Sequence, residues 1–354
     1  MLKRYFERFS WVGLFLLVFQ VAVAAVIVIG IFNTLASAKY TASQWVVLIF
    51  AGLAQGSIYA LIALGYTLVY GILLMINFAH GDVYMAGAFT AVFLADSFAA
   101  SGFISSHPIW AILILILLAA VVSMVLNVVV ERLAYRPLRN APRLVPLITA
   151  IGASFTIEYT FRGLYGAEFH AYPSVPLLSG NISLGGFQVP LVQIVVLIAA
   201  VLLMIALYMF VERTKIGKAM RAVSEDKEIS RLMGIDVDRT IMITFAVGGA
   251  LAGAAGVFNG LFRPQGVFFF MGFYPGIKAF TAAVLGGIGN VPGAMVGGLF
   301  LGVFESVGPN LILEGLGIPA VNQLRDAFAF TLLVVILIFR PQGIFGERLA
   351  KTKA

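Results

Sequence analysis

The chain has 354 residues, of which 61% are hydrophobic and 11% charged, and it contains no cysteine. A soluble domain carries roughly 45–50% apolar and about 25% charged residues, so no soluble fold of this length hides so much apolar surface. Disulfides and thiolate metal sites are excluded. The formal charge of +7 sits in a few inter-span segments, which assigns it to membrane orientation rather than to nucleic acid.

The apolar pattern predicts an all-α polytopic membrane protein with about ten spans. They fall near residues 11–32, 45–69, 76–98, 109–130, 145–164, 190–211, 241–262, 276–289, 293–312 and 325–339. Crossing the hydrocarbon core takes about 20 helical residues. The eighth run is too short for that, and the third opens on a polar stretch.

The first run follows Lys3, Arg4 and Arg8 and precedes ASA at 36–38, as a signal peptide does. It is longer than the roughly 7–15 residues of a signal core, so a retained helix is expected, with a cleaved signal as the alternative. Residues 1–40 then form an N-terminal extension with one extra span, 41–346 the transmembrane domain, and 347–354 a cytoplasmic tail. Most of the 23 basic residues lie at the N-terminus, at 132–143, at 213–239 and at the C-terminus. Ten spans place all four clusters on one side, the cytoplasm, by the positive-inside rule.

INFAHGDVYMAGA (76–88) holds Asn77, His80, Gly81 and Asp82 at membrane depth, and LGGIGNVPG (285–293) holds Gly287, Gly289 and Asn290. Neither stretch suits a regular helix throughout. Unwound backbone at that depth is tolerated only inside protein or beside a watery cavity, and paired broken helices point to a transport site. These seven residues are therefore candidates for the translocation path. Free N–H groups there favour an anionic group and free carbonyls a cationic one. The alternative is a pair of cytoplasmic turns, with His80 structural and Asp82 favoured by a helix N-terminus. NFAHGDVYMAGA and NVPGAMVGGLFLG (290–302) each run from Asn through Gly into a small-residue helix, which suggests an internal pseudo-repeat. Glycines four apart, such as Gly249 and Gly253 or Gly298 and Gly302, suit close helix packing in lipid.

The charged segment 212–240 predicts a helix over about 217–232, stopped at Gly234. Ala219, Ala222, Val223, Ile229 and Leu232 fall along one side. Such a helix either docks a cytoplasmic partner or lies at the membrane surface. Glu158, Lys278, Glu305 and Asp326 fall in or near spans, where ionisable groups are functional candidates by default. They form no chain of acids and histidines of the kind that serves proton coupling. Patterns for P-loop, zinc-protease and nucleophile-elbow sites are absent from the sequence.

Four blocks resemble one family: GSIYALIALGYTLVYGILLMINFAHGDVYMAGA (56–88), ERLAYRPLR (131–139), GIKAFTAAVLGGIGNVPGAMVGGLFLG (276–302) and RPQGIFG (340–346). They are similar to the high-affinity branched-chain amino acid ABC transporter permeases, the first of that system's two permease types. The resemblance covers about 45–346. It implies a bacterial inner-membrane importer with both termini cytoplasmic, and no cofactor, metal or catalytic residue in this chain. It also implies a pseudo-symmetric dimer with a second, related permease or with itself, two cytoplasmic ATPase subunits, and a periplasmic substrate-binding protein facing 165–190. By position, Ala222, Glu225, Asp226, Leu232 and Gly234 would couple to the ATPase. Urea and short-chain amide permeases share much of the pattern, and Phe78 with Ala79 leans toward branched-chain amino acids. An ion-coupled transporter or channel is the alternative of a different class.

Overall fold

A computed structural model describes residues 11–345 apart from 140, 143, 264 and 340–342. Lys3, Arg4, Arg8, Arg143, Arg340 and the tail 347–354 lie outside the described residues, so part of the basic bias and most of the last family block do too.

The fold is helical. In chain order, α1 (Trp11–Ala36), α2 (Ala42–Leu73), α3 (His80–Ala100), α4 (Pro108–Val130), α5 (Leu144–Tyr165) and α6 (Leu191–Arg213) are followed by two short helices, α7 (Lys215–Glu225) and α8 (Lys227–Leu232). Then come α9 (Val237–Phe262), α10 (Phe273–Gly286), α11 (Val291–Gly308) and α12 (Arg325–Phe339). Among the described residues nine helices are long and apolar enough to cross a membrane. The remaining expected span is α10, whose 14 residues reach only about 21 Å at 1.5 Å per residue. Gly287, at φ 100°, ends it.

Alternation of the spans gives the bundle two ends. The basic end holds the close of α2, α4 and α6 together with α7 and α8. The opposite end holds 36–42, 100–108, 165–190 and 262–272. There a small antiparallel hairpin forms, β1 (Asn181–Leu184) against β2 (Phe187–Pro190), with Ile182 opposite Val189. Its Gly185–Gly186 turn has positive φ at both positions, as a tight hairpin turn demands. His170 and Val267 exchange backbone hydrogen bonds of 2.9 and 2.8 Å, which ties the segment after α5 to the segment after α9.

α2, α3, α9 and α11 form the centre, while α1 and α12 are mostly exposed. In lipid, helices associate by close packing rather than by expelling water, and the four-apart glycines serve that here. A Cβ on Gly298 would stand 2.5 Å from Ala60 Cα, and one on Gly302 would overlap the Gly56 backbone, so α11 lies backbone to backbone on α2. Gly249 and Gly253 of α9 meet α4 at Ser123 and Ala119 in the same way. α1 packs on residues 309–316, with Gly30 against Ile312.

Candidate functional site

α2 ends at Leu73, and the left-handed backbone of the following Leu74 (φ 56°) closes it through an N–H bond to Tyr70 O. The chain then turns back into the bundle without helix, and α3 begins at His80 rather than at residue 76. The His80 ring lies against Gly65 of α2, where a Cβ would overlap it. Gly65 is eight residues before Leu73, roughly 12 Å of helix. The third span is therefore broken well below the end of the bundle.

The polar residues of this break are buried. Asn77 Nδ2 donates to Asn127 Oδ1 at 3.2 Å, and Asn127 Nδ2 donates to Phe245 O at 2.7 Å. Tyr135 OH donates to Ile76 O at 3.0 Å from a wide π-type turn that extends α4. Buried amides in this setting need partners, and this relay from the break through α4 to α9 supplies them. Neither Asn127 nor Tyr135 was singled out from sequence. Ser123 and Asn127, four apart in an apolar run, carried the signal, since Ser123 Oγ also bonds out of α4, to Val83 O at 2.7 Å. Gly81 approaches α10 so closely that a Cβ would stand 2.6 Å from Gly272 O. Asp82 accepts a hydrogen bond from Ser154 Oγ of α5, with Glu158 of the next turn beside it.

The second break runs from Gly287 to Asn290. Gly289 has φ 95°. Asn290 caps α11, its Oδ1 accepting from Gly293 N at 2.9 Å, while its Nδ2 donates to Phe345 O at 3.1 Å. Ile344 N and Phe345 N bond to Leu285 O and Gly286 O at 2.7 and 3.2 Å, so residues 343–345 cover this break.

Gly289 and Asn290 line a cavity of about 640 Å³ at the basic end, with Tyr70 and Gly71 of α2 and Arg221 and Glu225 of α7. The structure thus brings two of the path candidates together with one of the coupling candidates. Asn77, His80, Gly81, Asp82 and Gly287 do not line this cavity.

The charged segment departs from the single helix expected over 217–232. Asp226 has an extended backbone, and its Oδ1 accepts from Glu228 N and Ile229 N at 2.8 and 2.9 Å, so it caps a second helix. An N-cap carboxylate of this kind competes with helix continuation. Thr214 caps α7, and Gly234, at φ 81°, follows the close of α8. The expected apolar side is divided. Met220 and Val223 are buried as α7 packs on α2, α6 and α9. Ala222 is half-buried, Glu225 and Asp226 are exposed, and Leu232 and Met233 stand 86% and 77% exposed at the tip with Ile229. Arg221 pairs with Glu212. Burial, with Arg139 and Arg231 nearby, holds the Lys227 ammonium below the ordinary lysine range.

A second cavity, of about 480 Å³, opens at the opposite end between α2, α9, α11 and α12. Gln55, Arg263, Glu305 and Asp326 line it. Arg263 Nε and Nη2 both donate to Gln55 Oε1 at 3.2 Å. On the α10 side, Lys278 Nζ donates to Glu305 Oε1 at 2.7 Å and also to Asp326. Three of the ionisable residues noted in sequence thereby form one cluster, and Arg263 and Gln55 complete it. A buried charge without a partner is costly, which accounts for the pairing.

The family model described as branched-chain amino acid transport system / permease component matches residues 48–337. The chain is 43% identical over 310 residues to the high-affinity branched-chain amino acid transport system permease protein BraD of Pseudomonas aeruginosa, covering 84% of this chain and 94% of that one. It is 40% identical over 308 residues to the LivH permease protein of Salmonella typhimurium, and 39% identical over 308 residues to that of Escherichia coli K12, each with 84% of this chain and 94% of the relative covered. With the broken spans and glycine-packed helices in place, these similarities show that the chain is a multi-pass membrane protein of the branched-chain amino acid permease family.

Proposed function

We propose that this chain is a membrane-spanning subunit of an ABC importer that carries branched-chain amino acids by alternating access. ATP is hydrolysed by two cytoplasmic partner subunits that seat on α7 and α8. A second permease, related or identical, completes the membrane pathway, and a periplasmic binding protein delivers substrate near the hairpin end. The protein resides in a bacterial inner membrane with the basic end cytoplasmic. Residues 1–40 are an added span beside the permease core of 41–346.

The observation that carries this reading is the division of labour along the 214–234 segment. Met220 and Val223 anchor α7 to the central helices, while Ile229 and Leu232 of α8 and Met233 just after it are exposed. Exposed apolar side chains grouped together and rimmed by charge suit an interaction surface. A force on that tip reaches the basic-end cavity through Arg221 and Glu225, which lie on the anchored helix. A ligand or motor shifts a conformational equilibrium only through a free-energy difference between its states, and the anchored helix provides the mechanical link.

Leu232→Glu in the assembled complex tests this. Substrate-stimulated ATPase activity should fall, with membrane insertion and the elution of the isolated chain unchanged. Unaltered stimulation would overturn the docking assignment. Leucine uptake by the isolated chain under an imposed ion gradient, without ATPase partners, would favour an ion-coupled transporter instead.

A further inference from the structure

The cavity at the hairpin end holds charges of both signs. It also holds three buried polar atoms whose hydrogen-bonding capacity is unused among the described residues, Arg325 Nε being one. Gln55 Oε1 is occupied by Arg263, but Gln55 Nε2 has no partner. Glu305 Oε1 accepts from Lys278 at 2.7 Å and from Tyr59 OH at 3.3 Å, but Glu305 Oε2 has no partner. Both residues are more than nine-tenths buried and both line the cavity. A buried polar group left unsatisfied is costly, and more so when charged. One wall therefore offers an unused donor next to a guanidinium, and another offers an unused carboxylate oxygen.

We propose that this cavity binds the head group of a zwitterionic α-amino acid on its way into the membrane. The ligand's carboxylate takes Gln55 Nε2 and the Arg263 guanidinium, and its ammonium takes Glu305 and Asp326. The inference rests on the import reading above and adds to it a site and the groups that recognise substrate. A lone anion would leave Glu305 Oε2 unused, and a lone cation would leave Gln55 Nε2 unused. The volume of about 480 Å³ lies within the roughly 300–1,000 Å³ of small-molecule sites. Phe262 and Ala51, also on the lining, supply apolar surface for an aliphatic side chain.

The position of the cavity fits a step on a path. Gln55 and Tyr59 lie one helical turn apart on α2, and Tyr66 and Tyr70 continue the same face toward the basic end. Tyr66 there packs edge-on against His80 at 5.0 Å and Phe280 at 6.1 Å between ring centroids. Tyr70 then lines the basic-end cavity. One stripe of α2 thus borders both cavities, and between them along that helix Tyr66 packs on His80 and Phe280.

The cysteine-free sequence allows a direct test. Asn322→Cys places a single thiol on the exposed rim of the cavity. The full-length chain, purified into nanodiscs, is treated with a cationic methanethiosulfonate, and the labelling rate is followed as L-leucine is raised. Leucine at ten times its half-protecting concentration should slow labelling roughly tenfold. 4-Methylpentanoate, which lacks the ammonium, and isopentylamine, which lacks the carboxylate, should not protect at that concentration. Glu305→Gln and Arg263→Gln in the same background should each raise the half-protecting concentration about tenfold or more. If either variant fails to fold, the analogue comparison on the otherwise unaltered chain still decides. No protection by leucine up to its solubility limit, or equal protection by either analogue, overturns the proposal. ATP-dependent leucine uptake by the assembled complex is measured separately. Uptake without protection refutes the cavity assignment alone, and protection without ATP-dependent uptake refutes the import reading while leaving the site.

Discussion

Lys278 of α10 and Glu305 of α11 meet at 2.7 Å inside the bundle, both nearly inaccessible to solvent. The contact ties the short helix α10 to two neighbours at once, because the same ammonium also reaches Asp326 of α12. Removing one member of a buried ion pair leaves an uncompensated charge and costs about 3–5 kcal/mol, whereas replacing both by apolar groups is often nearly neutral. Lys278→Met should therefore destabilise the chain more than Lys278→Met with Glu305→Leu. Unfolding in mixed micelles reads both, and equal losses would show that the pair is not coupled.

The approach of α11 to α2 leads to a second expectation. Gly302 has no room for a side chain against Gly56 and Gly52. Overpacking costs typically about 1–3 kcal/mol. Gly302→Val should lower the unfolding midpoint, while Gly163→Ala, at a helix position with nothing within 4 Å, should not. Comparable midpoints for the two variants would contradict the packing.

Asn77 and Asn127 form the link between the first break and α4. Hydrogen bonds between spans average about 0.6 kcal/mol in double-mutant cycles and reach about 1.7. The cycle Asn77→Ala with Asn127→Ala should give a coupling energy in that range, read again by unfolding. A value of zero would mean that the break is held by packing alone.

His80 occupies the space that a side chain on Gly65 would need. Gly65→Ala should cut the yield of folded chain, and His80→Ala in the same chain should restore part of it. Size-exclusion profiles after solubilisation compare the four forms. Failure of the second change to rescue would show that Gly248, also beside the ring, or the backbone of α2 sets the limit.

Much of this architecture was legible in sequence because its physical causes are local. Nonpolar runs long enough to span a bilayer must be helices there, since no water satisfies their backbone groups. The basic segments lie together by the same reasoning. Glycines at i and i+4 share a helix face whatever lies opposite, and Gly289 and Asn290 announced a non-helical stretch from composition alone. The hairpin at 181–190 was legible too, from its Gly185–Gly186 pair between alternating residues, although the reading was wholly helical. The split of α7 from α8 was missed because Asp226 suits both a helix surface and an N-cap. Its backbone settles the choice.

What the sequence by itself determined is the membrane class, the places where helices cannot be regular, and the side that carries the positive charge. Tertiary structure alone decided which polar residues meet. Gln55, Glu305 and Asp326 come from three helices and Arg263 from the residue that follows α9, and each was only an isolated polar residue until the helices were rotated and staggered against one another. It likewise decided that His80 lies about two turns deep against Gly65, and that Glu225 shares a cavity with Gly289 while Asp82 does not. Those outcomes depend on the rotation and axial offset between packed helices, which close glycine-to-backbone approaches fix and which no local pattern encodes.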